Sequence, residues 1–198
     1  MKKYERRNEL PIYWYNKSFD LRGSAGALWA SMDKEHSDNI VQELSLGTGY
    51  RMAVAVLPVY QMLCGMAIEL IYKAIIIVKG NRRKGFNTHK LLVLADLAGI
   101  SVDDKSKLIL QLLTESLIWD GRYPVPKDPN CMKERDILFG ELTKDDSMLG
   151  CSHKMSLAND ALSWESFNRI WLEASHIYWE CHQQYISVED MKNKITLL

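Results

Sequence analysis

Apolar residues recur at helical spacing along most of the chain, and the sequence shows no sustained alternation of the kind that marks a strand. The pattern predicts helices over about residues 24–44, 50–79, 89–97, 103–120 and 163–186. The helix at 50–79 is apolar on nearly every side, as expected for a helix in the middle of a bundle. We therefore predict an all-α fold, a bundle of four to five helices.

Residues with strong positional preferences mark several helix ends. Ser24 and Thr88 are expected N-caps, and Asp103 or Asp104 is expected to cap the fourth helix. Gly80 and Gly99 each follow a predicted helix at the position where a left-handed C-terminal cap belongs.

Two segments lack helical periodicity. Residues 1–23 mix basic side chains with aromatic rings, and we predict an irregular N-terminal arm that packs on the body, because exposed rings favour aggregation. Residues 24–198 are predicted to form a single helical-bundle domain, in which residues 127–162 are an irregular insertion before the last helix. Long irregular segments in compact domains are uncommon and are often functional.

Charge and cysteine content point to a cytoplasmic protein. The formal net charge is +0, which excludes a strongly basic nucleic-acid coat or a polybasic membrane anchor. The N-terminal MKKYERRNEL contains no apolar signal-peptide core, and the four cysteines lie far apart, which favours reduced thiols. The apolar segment 50–79 carries charged residues, each costing at least about 2.5 kcal/mol near the middle of a membrane, so we expect no membrane span.

Two of those charges, Glu69 and Lys73, stand at positions i and i+4 with the acid first, the favourable order on a helix. Because their surroundings are apolar, each charge needs a partner. In one interpretation Glu69 binds the start of the next helix, through the amides of Thr88 and His89 or the imidazole, and Lys73 neutralises it. In the other, the pair lines a ligand or phosphate pocket.

These residues belong to a longer pattern. E-L-I-Y-K at residues 69–73 is followed by a basic loop, then by T-H-K-L-L-V-L-A-D-L from residue 88, and R-Y-P-V-P occupies 122–126. Their order and spacing resemble the HEPN superfamily of helical bundles, in which a helix with E-L-x-x-K precedes a loop and a T-H-x-L-x-x-L helix. The resemblance covers residues 50–126, and the last helix fits by position only.

The resemblance implies a helical bundle that forms homodimers and acts on RNA or nucleotides. Many HEPN members belong to toxin–antitoxin or phage-defence systems, where an antitoxin or a nucleotidyltransferase is the partner. We therefore expect an RNA- or nucleotide-binding module. The alternatives are a metal-independent endoribonuclease and a non-catalytic protein-interaction scaffold.

Catalytic HEPN members carry an Arg-x(4–6)-His motif, and two pairs here have that spacing. RNA cleavage by transesterification needs a base for the 2′-hydroxyl and a cation for the phosphorane. Arg169 and His176 share one face of the last helix, about 10.5 Å apart along its axis, but Ile170 stands where the motif often has a polar residue. Arg83 and His89 form the second pair, in which His89 also fills the T-H-x-L position.

A separate set of residues is predicted to bind phosphate: Arg82, Arg83, Lys84, Arg122 and Tyr123. Pro124 holds Tyr123 in an extended conformation, which fixes the directions of the ring and of Arg122. Arg122 either caps the carbonyl groups of the preceding helix, pairs with an acid such as Glu69, or binds an anionic ligand.

We expect no metal and no cofactor. Candidate zinc ligands are Cys131, Cys151, His153, Cys181 and His182. They include no C-x-x-C pair, and Cys151 and His153 are too close for most structural zinc sites.

Overall fold

The computed structural model describes residues 3–143 and 162–196, with side chains as far as residue 186. All regular structure in these ranges is helical, which confirms the all-α prediction. The α-helices are α1 (Lys3–Glu9), α2 (Pro11–Ala30), α3 (Lys34–Glu43), α4 (Met52–Val78), α5 (Leu91–Ala98), α6 (Asp104–Glu115), α7 (Pro129–Thr143) and α8 (Trp164–Thr196), and a π-helical turn, Ser116–Asp120, continues α6.

Helix α4 lies at the centre, in contact with α2, α5, α6 and α8. Four of its isoleucines, Ile68, Ile71, Ile75 and Ile76, are fully buried. Burial of each such side chain contributes about 1.5–3 kcal/mol, so α4 anchors the core. By length and composition α4 is also long and apolar enough to cross a membrane, a test that the core helix of a soluble protein passes as well.

The N-terminal segment is helical, so the prediction of an irregular stretch over residues 1–23 was wrong. Pro11 stands in the first turn of α2, where its missing N–H costs nothing. The buried face of α2 includes the small residues Ser18 and Ala25, while its exposed positions include the rings of Tyr13 and Phe19. The two faces therefore differ little in hydrophobicity, and the helical period is hard to read from the sequence.

Ser24 lies inside α2 and donates a hydrogen bond to the carbonyl of Asp20, so it is not an N-cap. The chain turns after Ala30, and Asp33 caps α3 by accepting a hydrogen bond from the amide of Glu35 at 3.2 Å. The helix predicted over residues 24–44 is therefore the end of one helix and the whole of another.

Three other predicted helix ends agree with the structure, and the predicted N-cap at Thr88 does not. Gly80 and Gly99 have φ angles of +65° and +67°, and Asp103 caps α6 by accepting from the amide of Ser106 at 2.9 Å. Thr88 accepts from the amide of Lys90 at 3.1 Å. Helix α5 begins only at residue 91, so Thr88 makes a turn before the helix instead of capping it.

Helix α7 occupies part of the predicted insertion 127–162. It packs against α6, and Arg135 on α7 pairs with Asp120 of the π-helical turn at 3.1 Å. The sequence of α7 shows no sustained apolar stripe, because few residues of this helix are buried. The rest of the predicted insertion, residues 144–161, lies outside the described residues.

Helix α8 packs against α4. Its indole at Trp171 donates to the hydroxyl of Ser18 at 2.8 Å, and that hydroxyl donates to the carbonyl of Ala67 at 2.6 Å. One buried serine thus joins α2, α4 and α8.

Candidate anion-binding pocket

The buried carboxylate of Glu69 is the centre of a polar network. Lys73 donates to its Oε1 from Nζ at 2.6 Å, and Nδ1 of His89 lies 2.9 Å from its Oε2. Only 9% of the Glu69 side chain and 8% of the Lys73 side chain is exposed, against 62% for His89. Because an ionised carboxylate only accepts, Nδ1 of His89 must carry the proton, and Nε2 is left to interact with a ligand.

The loop before α5 places His89 beside Glu69, and the imidazole ring makes the contact. Thr88 takes no part, since its amide donates to the carbonyl of Gly85 at 3.1 Å and its hydroxyl accepts from Lys90. Of the four residues predicted for the structural network, the structure brings together Glu69, Lys73 and His89.

The exposed side of the network opens into a pocket of about 330 Å³. Its lining comes from α4, from the loop before α5, from the π-helical turn and from the second residue after that turn: Met62, Met66, Glu69, Leu70, His89, Leu117 and Arg122. The volume is at the lower end of the range of small-molecule sites. The carboxylate is thus both a partner of Lys73 and part of a pocket wall.

Arg122 is held rigidly at this pocket. Its Nη2 donates to the carbonyls of Leu117 and Ile118 at 2.6 and 2.7 Å, and its guanidinium lies 5.7 Å from the ring centre of Tyr123. The end of a helical segment leaves carbonyl groups without backbone partners, and Arg122 satisfies two of them. Of the roles predicted for Arg122, the structure shows the capping of helix carbonyl groups. The N–H groups on Nε and Nη1 are left for a ligand.

The pocket combines donors with an apolar wall. Arg122 supplies nitrogen donors and His89 presents its Nε2, whereas Met62, Met66 and Leu117 supply apolar surface. Such a combination fits a ligand with an apolar portion and an anionic group, because charged donors fix the anion and apolar contacts hold the remainder.

The basic loop contributes less than predicted. Arg82 donates from Nη2 to the carbonyl and the side-chain oxygen of Asn8 at 3.1 and 3.0 Å, and it covers the ring of Phe86 at 4.3 Å. It therefore fastens α1 to the body. Arg83 and Lys84 are exposed in the same loop, and neither lines the pocket.

Arg169 lies against the start of α6 and does not line this pocket. Its Nη2 donates to the hydroxyl of Ser106 at 2.9 Å, and its Nη1 lies 3.0 Å from Glu173 and 3.5 Å from Asp103. Hydrogen bonds from Ser106, together with Arg169, lower the pKa of Asp103. These contacts indicate that the Arg169 guanidinium stabilises the junction between α6 and α8.

The structure does not bring either predicted catalytic pair together. His176 is 76% exposed and its Nε2 lies 3.2 Å from Glu180, a partner different from those of Arg169. His89 is bound to Glu69, while Arg83 stays outside the pocket that His89 lines.

Within the described ranges, no cluster of three or more His, Cys, Asp or Glu residues could hold a metal ion. Cys64, Cys131 and Cys181 are free thiols, and burial raises the pKa of Cys64 well above its usual range. Cys151 and His153 lie outside the described residues.

The sequence interpretation missed the apolar half of the pocket. Met62, Met66 and Leu70 recur every four residues on α4, beside Glu69, which places them on one face of the helix. The sequence therefore contained a signal for these three lining residues. It contained none for Leu117, because the approach of Leu117 to α4 depends on how the helices pack.

No protein-family model matches the chain, and neither a curated protein nor a solved structure matches it significantly.

Proposed function

We propose that the chain is a HEPN-like module that binds RNA or a nucleotide, with the phosphate in the pocket formed by Glu69, His89 and Arg122. One observation carries this proposal: a fixed guanidinium and a fixed imidazole line the same small pocket, beside an apolar wall. A phosphate would accept from Arg122, the imidazolium form of His89 would add a second donor at Nε2, and a base or ribose would lie on Met62 and Met66.

The charges around the pocket suit an anion. Glu69 alone would repel phosphate, but Lys73 neutralises it at 2.6 Å. Arg122 then leaves the group with one net positive charge when His89 is neutral.

The same contacts support the resemblance. The E-L-x-x-K and T-H-x-L segments meet through Glu69 and His89, and R-Y-P reaches the same pocket through Arg122. The homodimer, the toxin–antitoxin or phage-defence setting and an antitoxin or nucleotidyltransferase partner rest on the resemblance alone.

The geometry favours binding over cleavage. Of the two predicted catalytic pairs, only His89 lines the phosphate pocket, and Arg169 and His176 each pair with a different acid. We therefore place the endoribonuclease second, and the scaffold without a ligand third.

Titration calorimetry with adenosine monophosphate and with a short single-stranded RNA, both in chelator, tests the proposal. Arg122→Gln is expected to weaken mononucleotide binding about tenfold, because it removes a positive charge from the pocket, and His89→Gln about threefold, because it removes the imidazole. Arg83→Gln is the matched control for charge, since this arginine is exposed outside the pocket, and it should change mononucleotide affinity less than about twofold.

Equal affinity of Arg122→Gln and the wild type would contradict the proposal. RNA cleavage in chelator that His176→Gln abolishes would favour the endoribonuclease instead.

A further inference from the structure

A second cavity, of about 460 Å³, lies between α1, α2 and α4. It is lined by Arg7, Tyr13, Trp14, Asn16, Lys17, Asp20 and Leu70. Leu70 also lines the anion-binding pocket, so the two cavities are neighbours across one side chain of α4. Their volumes are both in the range of small-molecule sites.

One wall of this cavity is aromatic and is held in place. The indole N–H of Trp14 donates to the carbonyl of Asn8 at 3.2 Å, and its ring meets the ring of Phe86 edge-on at 5.6 Å. Tyr13 precedes it on α2 and is 36% exposed. An oriented indole, a phenol and Leu70 together present a surface on which a flat ring can pack.

Charged groups line the same cavity. Tyr13, Lys17 and Asp20 follow one another at helical spacing, which puts them on one face of α2, and Arg7 is contributed by α1. Among the described residues, no ion pair or side-chain hydrogen bond engages Arg7, Lys17 or the carboxylate of Asp20. The net charge of the lining is therefore one positive, with donors and an acceptor still free.

We propose that this cavity binds a small aromatic carboxylate. The ring packs on Trp14, Tyr13 and Leu70, and the carboxylate accepts from Arg7 and Lys17. Asp20 disfavours a second negative charge, which selects a monoanion over a phosphate dianion. This site is separate from the phosphate pocket, whose described lining contains no Phe, Tyr or Trp side chain.

Helix α1 and the ligand stabilise each other in this arrangement. α1 buries no residue of its own, and its attachment includes the bonds from Arg82 and Trp14 to Asn8. Because Arg7 reaches the ligand from α1, binding favours the docked helix, and the amides of α1 should exchange more slowly with ligand present.

Phenylacetate titrated into the ¹⁵N-labelled full chain tests the site. The indole resonance of Trp14, assigned with Trp14→Phe, is expected to shift in a saturable manner. Phenethyl alcohol, which keeps the ring without the charge, and acetate, which keeps the charge without the ring, should each bind at least about threefold more weakly. Phenyl phosphate should also bind more weakly than phenylacetate.

Arg7→Gln and Lys17→Gln are each expected to weaken phenylacetate binding about threefold or more. Arg6→Gln is the matched control, because Arg6 is the exposed neighbour of Arg7 on α1 and does not line the cavity. Arg122→Gln should leave phenylacetate binding unchanged. All four positions are exposed, so the variants should fold, which thermal melts verify.

An unshifted Trp14 resonance would overturn the proposal. Equal binding of the alcohol, tighter binding of phenyl phosphate, or the same loss in Arg6→Gln as in Arg7→Gln would do so as well. Loss of phenylacetate binding in Arg122→Gln would mean that the probe occupies the phosphate pocket.

Discussion

Glu69 and Lys73 are the two charged residues among the buried positions of α4. Lys73 lies 2.6 Å from one carboxylate oxygen of Glu69 and His89 lies 2.9 Å from the other, so the two buried charges compensate each other. Removing one partner from such a pair costs more than the pair contributes, because the remaining charge stays buried.

Glu69→Gln is therefore expected to lower the free energy of unfolding by about 3–5 kcal/mol, because it leaves the ammonium group of Lys73 buried without a carboxylate partner. The double variant Glu69→Gln/Lys73→Met removes both charges and should recover a large part of that loss. Urea unfolding of the single and double variants measures the coupling between them.

His89→Gln is the control at the exposed end of the network. Its side chain is 62% exposed, so the stability loss should stay under about 1 kcal/mol. A Glu69→Gln variant as stable as the wild type would show that the pair contributes nothing to the fold.

His182 lies among rings on α8, stacked on Tyr178 at 5.2 Å and edge-on to Trp179 at 5.4 Å. Burial lowers the pKa of His182 below its usual range. The folded state therefore disfavours the imidazolium, and stability is lost as the pH falls from the unfolded pKa through the folded one. An NMR titration of the ring should give a midpoint below that in the unfolded chain.

His182→Phe should remove this component of the pH dependence, so the stability gap between variant and wild type should change as the pH is lowered from neutral. A His182 midpoint at or above the unfolded value would contradict the assignment.

At the scale of elements, α4 approaches the end of α6 and the π-helical turn at Gly65. A methyl group added there would lie 2.8 Å from Cγ of Leu117 and 2.9 Å from the carbonyl oxygen of Leu113. Contacts this short to a backbone atom cannot be relieved by rotating a side chain. Gly65 therefore sets how closely these helices pack, and with it the position of Leu117 in the phosphate pocket.

Gly65→Ala should destabilise the protein by about 1–3 kcal/mol, as overpacking does in a close-packed core. Gly23→Ala is the matched control, since Gly23 lies within α2 with nothing within 4 Å of an added methyl group. It should stabilise by about 0.5–1 kcal/mol, because alanine favours the helix. Thermal unfolding distinguishes the opposite signs.

At the scale of the molecule, Ser18 connects three helices that are far apart in the sequence. Its hydroxyl contacts Ala67 on α4 and Trp171 on α8, and its own side chain is fully buried. Without that hydroxyl, the indole N–H of Trp171 has no acceptor in the core.

Ser18→Ala should cost about 1–3 kcal/mol, because it leaves a buried donor unsatisfied. Ser18→Ala/Trp171→Phe should cost less than the sum of the single changes, since the second substitution removes that donor. Ser24→Ala, an exposed position on the same helix, should change stability by no more than about 0.5 kcal/mol. Additive losses in the double variant would contradict the proposed coupling.

The sequence by itself predicted much of the local structure. The all-α class, the long core helix, its glycine ends and the Asp103 cap follow from spacing and from the φ preferences of single residues. The pairing of Glu69 with Lys73 follows in the same way, because positions i and i+4 meet on any α-helix. Most of helix α2 was missed because its small buried residues and exposed rings make its two faces similar in hydrophobicity, and α7 was missed because few of its residues are buried.

Tertiary structure alone decided which residues share a pocket. His89 and Arg122 line one pocket beside α4 because a loop and a π-helical turn end there. Arg82 instead holds α1, and Arg169 holds α6. Basic residues look alike in a sequence. Whether one binds a ligand or a neighbouring helix depends on contacts between segments far apart in the chain, and local propensity does not encode these contacts.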